Sequence, residues 1–172
     1  MTCSSEPVDG HRLSGDPQRI PLDAHACFLL HRGLKTLAVR VRQQNKSALA
    51  LARVFEAQPA VSRVNYPSLP SNSGHERAKK LFDGFGGMLS FELAGGEEAA
   101  RRFEEAVTIP IVAPSLGGVE SPITRPAATS HAGLTQDERA EVGVSDGLIR
   151  VSVGIEGTAD LVRDFDAALA VV

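Results

Sequence analysis

Two stretches of this 172-residue chain hold residue types that could do chemistry. Residues 115–121 read Ser-Leu-Gly-Gly-Val-Glu-Ser, and residues 148–153 read Leu-Ile-Arg-Val-Ser-Val. A serine ahead of paired glycines lets the backbone turn sharply and present N–H groups with no side chains in the way. Arg150, on a later strand, offers a planar and permanently charged fork that suits a carboxylate or phosphate. Ser115 and Arg150 together would hold a small anion. The same residues also have a plainer reading, a simple turn and a strand arginine facing water, and taken alone they leave both open.

The elements that must position these two stretches are short and mixed. Residues 1–20 are polar, with Pro7, Gly10, Gly15 and Pro17, and read as a flexible N-terminal tail; residues 21–172 read as the folded part. Asp23 caps a helix whose apolar positions Leu34, Leu37, Ala38, Val41, Ala48, Leu51, Ala52 and Phe55 recur every three or four residues. Gly33 marks a bend or a break in it, and Gln58-Pro59 ends it. Strands are expected over residues 61–66 and 88–93, the second with Leu89, Phe91 and Leu93 on one face and Ser90 and Glu92 on the other. Short helices are expected over 75–82 and 97–107, then an extended run at 109–112. A strand over 119–124 carries Pro122, which would confine it to a sheet edge.

Thr135 and Glu138 have capping-box spacing and open a brief helix. In the strand at 148–153, Ile149, Val151 and Val153 share one face, so Arg150 lies on the less apolar one. Thr158 is expected to cap a last helix with Leu161, Val162, Phe165, Ala168 and Leu169 inward. Short strands mixed with covering helices predict an α+β fold with a largely antiparallel sheet.

Composition narrows the function. One domain with a real core fits the length. A net charge of −3 argues against a nucleic-acid partner. No apolar run is long enough to span a bilayer and no signal-peptide pattern opens the chain, so the expected location is cytoplasmic. Cys3 and Cys27 cannot build a disulfide framework or a cysteine-based metal site. His11, His25, His31, His75 and His131 show no helical ligand pair, so a metal site is not expected. Gly84-x-Gly-Gly precedes a strand rather than a helix and reads as a turn, not a phosphate cradle. There is no Gly-x-Ser-x-Gly elbow, and none of Lys35, Lys46, Lys79 and Lys80 sits in a local setting that would make it a nucleophile.

Several stretches in order resemble one family: Asp23-Ala24, residues 32–37 (Arg-Gly-Leu-Lys-Thr-Leu), 66–70 (Tyr-Pro-Ser-Leu-Pro), 84–90 (Gly-Phe-Gly-Gly-Met-Leu-Ser), 115–121, Ser130-His131-Ala132, and 148–156 (Leu-Ile-Arg-Val-Ser-Val-Gly-Ile-Glu). They are similar to the C-terminal part of the pyridoxal-phosphate enzymes of cysteine and methionine metabolism: cystathionine γ-synthase, cystathionine γ- and β-lyases, and methionine γ-lyase. The resemblance implies a fold-type I transferase in which residues 21–172 form the smaller C-terminal domain, entered by a long connecting helix. It implies that Ser115 and Arg150 hold the substrate α-carboxylate, the substrate being a sulfur-containing or O-acylated homoserine-type amino acid.

Pyridoxal 5'-phosphate is the implied cofactor. The family's Schiff-base lysine, phosphate loops, stacking aromatic and pyridine-facing aspartate belong to the larger domain, so no catalytic or cofactor-binding residue is assigned in this chain. Lys35 belongs to the helix motif and is not the Schiff-base lysine. The chain alone is expected to be inactive, with a large domain or further copies of itself as partners; the alternative is a non-catalytic assembly module. Pro114 stands where many γ-lyases carry an acidic residue, and Pro122 where leucine is common.

Overall fold

The computed structural model describes residues 22–172, so the expected tail over 1–20 lies outside the described residues. The chain divides between Thr36 and Leu37 into two compact units. In the first, α1 (Ala24–Leu34) starts as expected, with the Asp23 carboxylate accepting from the Ala26 amide at 2.9 Å. The helix read from periodicity is broken into two, one of the outcomes that Gly33 suggested. The break falls at Lys35 and Thr36 rather than at Gly33, because both the amide and the hydroxyl of Thr36 turn back onto the Gly33 carbonyl, at 3.4 and 3.3 Å.

The second unit opens with α2 (Leu37–Ala57). β1 (Val61–Asn65), α3 (His75–Leu81), β2 (Met88–Leu93), α4 (Gly96–Ala106), β3 (Ile111–Val112) and β4 (Pro122–Thr124) follow. A 3-10 turn (Pro126–Ala128), α5 (Gln136–Glu141), β5 (Leu148–Ser152) and α6 (Thr158–Leu169) complete it. The five strands run in the order β1-β2-β5-β4-β3. Every pairing is antiparallel except β3 with β4, so the fold is α+β with a mostly antiparallel sheet.

One face of the sheet carries the core. Leu89, Phe91 and Leu93 of β2 and Ile149, Val151 and Val153 in and just after β5 are buried with Phe55, Phe103, Leu161 and Phe165 from the helices. Phe91 is the hub: its ring lies 4.2 Å from Phe55 and 5.3 Å from Phe103, centroid to centroid. The stripe on α2 is buried only from Gln44 onward, while Leu37, Val39 and Val41 stay exposed. Length explains this, since a 21-residue helix runs about 30 Å and strands of five or six residues cover only about 17–20 Å.

Two local expectations are corrected. β4 is interior, flanked by β5 and β3, and not an edge strand. Pro122 is tolerated because the β4–β5 ladder begins one residue later, at Ile123 opposite Val151. Toward β3, the chain offers the carbonyls of Ser121 and Ile123 to the amides of Ile111 and Ala113, so no proline N–H is called for. Thr158 is the first residue of α6, not its cap; Gly157 takes that place. The Thr158 hydroxyl instead meets Ser47 at 2.8 Å and Gln43 at 3.2 Å, tying α6 to α2. The Thr135–Glu138 capping box on α5 is present as read.

Candidate functional site

Strand alternation puts Ile149 and Val151 into the core, and the same alternation sends Arg150 out through the opposite face of the sheet. There it meets the 115–121 turn: Arg150 Nη2 donates to the Ser115 carbonyl at 2.8 Å. The two residues singled out from sequence are thus brought together. That bond uses one of five guanidinium donors. Nε is buried and has no hydrogen-bond partner among the described residues.

The turn is held at nearly every residue. Gly117 has φ +75°, which a side chain would strain, and its amide donates to Ser152 Oγ at 2.9 Å. Gln44 Nε2 donates to the Gly118 carbonyl at 2.9 Å, and the Ile155 amide to the Val119 carbonyl at 2.8 Å. Ser121 is buried and doubly bound to the Glu156 carboxylate, through its amide at 2.7 Å and its hydroxyl at 2.8 Å. The same hydroxyl accepts from the Gly154 amide at 2.8 Å.

Beside Arg150 lies a shallow recess of about 210 Å³ lined by Asn65, Met88, Leu89, Ser90 and Arg150. Larger hollows lie along β1 (about 340 Å³) and against α5 (about 360 Å³). The charged groups of the second already have partners, Arg63 with Glu92 at 3.8 Å and Asp146 with Arg139 at 2.7 Å. The first has Arg63 again and Glu56, which is bound to the Ser71 hydroxyl. The recess at Arg150 is lined by a guanidinium bonded to a carbonyl, with no carboxylate beside it among the described residues, which makes it the candidate anion site.

Sequence reasoning missed Asn65, Met88, Leu89 and Ser90 as lining residues. The alternation of β2 did place Ser90 on the face opposite the core, but only strand pairing shows that this face is shared with Arg150. Pyridoxal phosphate finds no fit among the described residues. It needs an enclosed lysine, and Lys35, Lys46, Lys79 and Lys80 are all exposed.

Fold and recess together define an α+β domain that presents a guanidinium beside a serine–glycine turn. Its relatives share the fold. The family model for "Cys/Met metabolism PLP-dependent enzyme" matches residues 20–170, and the chain belongs to this family, whose cofactor is pyridoxal phosphate. It is 44% identical over 151 residues to cystathionine gamma-synthase 1, chloroplastic, of Arabidopsis thaliana, covering 88% of this chain and 27% of that protein. It is 47% identical over 143 residues to cystathionine gamma-lyase of Dictyostelium discoideum, covering 83% of this chain and 37% of that protein.

The crystal structure of cystathionine gamma synthase from Xanthomonas oryzae pv. oryzae, in complex with aminoacrylate and cysteine, superposes with a TM-score of 0.80 at 44% identity. That match covers 85% of this chain and 38% of the other. The chain therefore spans about a quarter to two fifths of the length of these relatives.

Proposed function

We propose that residues 21–172 serve as the C-terminal domain of a pyridoxal-phosphate-dependent transsulfuration enzyme. In this reading Arg150 and the Ser115 turn hold the α-carboxylate of a sulfur-containing or O-acylated homoserine-type amino acid. The observation that carries it is the Arg150 guanidinium, one arm fixed on Ser115 and Nε buried with no acceptor, at the edge of an open recess. A carboxylate in that recess balances the guanidinium charge, and a charge-assisted bond to arginine is roughly twice as strong as a neutral one. Gripping the carboxylate fixes the orientation of the substrate Cα, which is the contribution of these residues to a reaction. Pyridoxal phosphate supplies an electron sink when bound, and the making or breaking of the C–S bond is assigned to residues other than these. A reducing, cytosolic compartment belongs to the same proposal and rests on the sparse cysteines, although one relative is chloroplastic.

The test is a titration of the chain with L-methionine, followed by NMR at the Arg150 Nε–H resonance. Saturable shifts are expected, and Arg150→Ala should weaken binding by about tenfold or more. Equal affinity in that variant would end the carboxylate reading.

A second reading, an assembly module without catalysis, is favoured by one observation: Ile111, Val112, Leu116, Val119 and Ile155 are all exposed around the outer edge of the sheet and the turn.

A further inference from the structure

Asn65, Ser90, Arg150 and Thr124 are successive cross-strand partners on β1, β2, β5 and β4. They form one polar row across the sheet face opposite the core, and their hydrogen bonds run in a defined sense. At one end, the Thr129 hydroxyl donates to the Arg125 carbonyl at 2.8 Å, so the 2.9 Å contact with Thr124 is donated by Thr124, which leaves that pair satisfied. At the other end, Asn65 Nδ2 donates to Ser90 Oγ at 3.2 Å. The Ser90 hydrogen must then go to an acceptor. Its neighbour in the row is Arg150, which has only donors to offer. The row therefore sets a serine O–H on the strand beside Arg150, and both residues line the same recess.

We propose that Ser90 is a second ligand-contacting residue. Its hydroxyl and the part of the Arg150 side chain that lines the recess converge on the bound carboxylate, while Asn65 turns the hydroxyl toward it. This rests on the carboxylate reading and extends it: the ligand is held from the Ser115 turn on one side and from β2 on the other. The occupant is a carboxylate rather than a cation or an apolar group, because the one formal charge in the row is the positive guanidinium of Arg150.

The test compares Ser90→Thr with Ser90→Val in the chain titrated with L-methionine. Both substitutions suit a strand and have nearly the same shape, but only threonine keeps the hydroxyl. Threonine is expected to bind within about twofold of the parent, and valine about five- to tenfold more weakly. Asn65→Ala, which leaves the hydroxyl in place but free to turn away, should cost about two- to threefold. Amide signals of Phe91 and Ile149 report that the core is intact in each variant. If valine binds as well as threonine while Arg150→Ala loses the ligand, the Ser90 contact is wrong and the carboxylate site stands. If Arg150→Ala also binds normally, or the parent shows no saturable shift, both fall together.

Discussion

A guanidinium with one arm tied to a carbonyl and another donor buried without a partner is costly unless something completes it. Arg150 is in that position, whereas the arginines of α4 pair with Glu98 and Glu105 on the helix surface. Tyr66, the only tyrosine, shows the same physics of burial in a structural role. It is buried at the end of β1, and its hydroxyl donates to the Gly86 carbonyl at 2.9 Å, fixing the turn that leads into β2. Burial pushes its phenol up from 10.0 to about 12. The folded state thus holds this proton more tightly than the unfolded chain does. The stability tied to the group is whole below pH 10 and drains away as pH rises toward about 12. An absorbance titration should find the phenolate appearing near pH 12, not 10, as long as the chain stays folded. Tyr66→Phe should lose about 1 kcal/mol at neutral pH in urea unfolding and show a flatter loss between those two pH values. Normal ionisation near 10 in folded protein would contradict the burial argument.

Among elements, the 115–121 turn behaves as a rigid part although it has no regular structure. It is clamped to β5 and the segment after it, above all by Glu156 on Ser121 and by the close passage of Gly154. A Cβ on Gly154 would come within 2.6 Å of the Glu120 carbonyl carbon and closer still to the Val119 carbonyl oxygen. Gly154→Ala must therefore lift the turn off the strand. Hydrogen exchange at the Ile155 amide, now bonded to Val119 at 2.8 Å, should speed up by about tenfold or more while Phe91 in β2 keeps its protection. Unchanged exchange at Ile155 would show that the clamp does not depend on this glycine. β4 carries the contrary lesson. A proline strand was expected at the edge, but the proline falls at the first residue, before its ladder with β5 begins, and the strand lies inside the sheet.

For the molecule as a whole, the sheet is covered on its core face by helices, while apolar side chains remain at the β3 edge and the turn. Val112 and Leu116 are each 60% exposed. An open edge strand flanked by such residues favours association. Light scattering on concentrated protein should give a mass above that of one chain, and Leu116→Lys with Val112→Lys should lower it. A single-chain mass at every concentration would remove the support for an assembly surface.

The fold class was legible because its signals are local: the alternation in β2 and β5, the Asp23 and Thr135 caps, and the three- and four-residue spacing on α6. Ser115 and Arg150 stood out as residue types suited to an anion and as parts of a family pattern, and the structure sets them side by side. Local signals pointed to a break near Gly33 but not to its place at Lys35 and Thr36, nor to the interior place of β4 or the row of Asn65, Ser90, Arg150 and Thr124. Alternation tells which face a side chain leaves by, and that is fixed within one strand. Which residue stands beside it is fixed by register between strands far apart in sequence, and register is settled only when the core face closes.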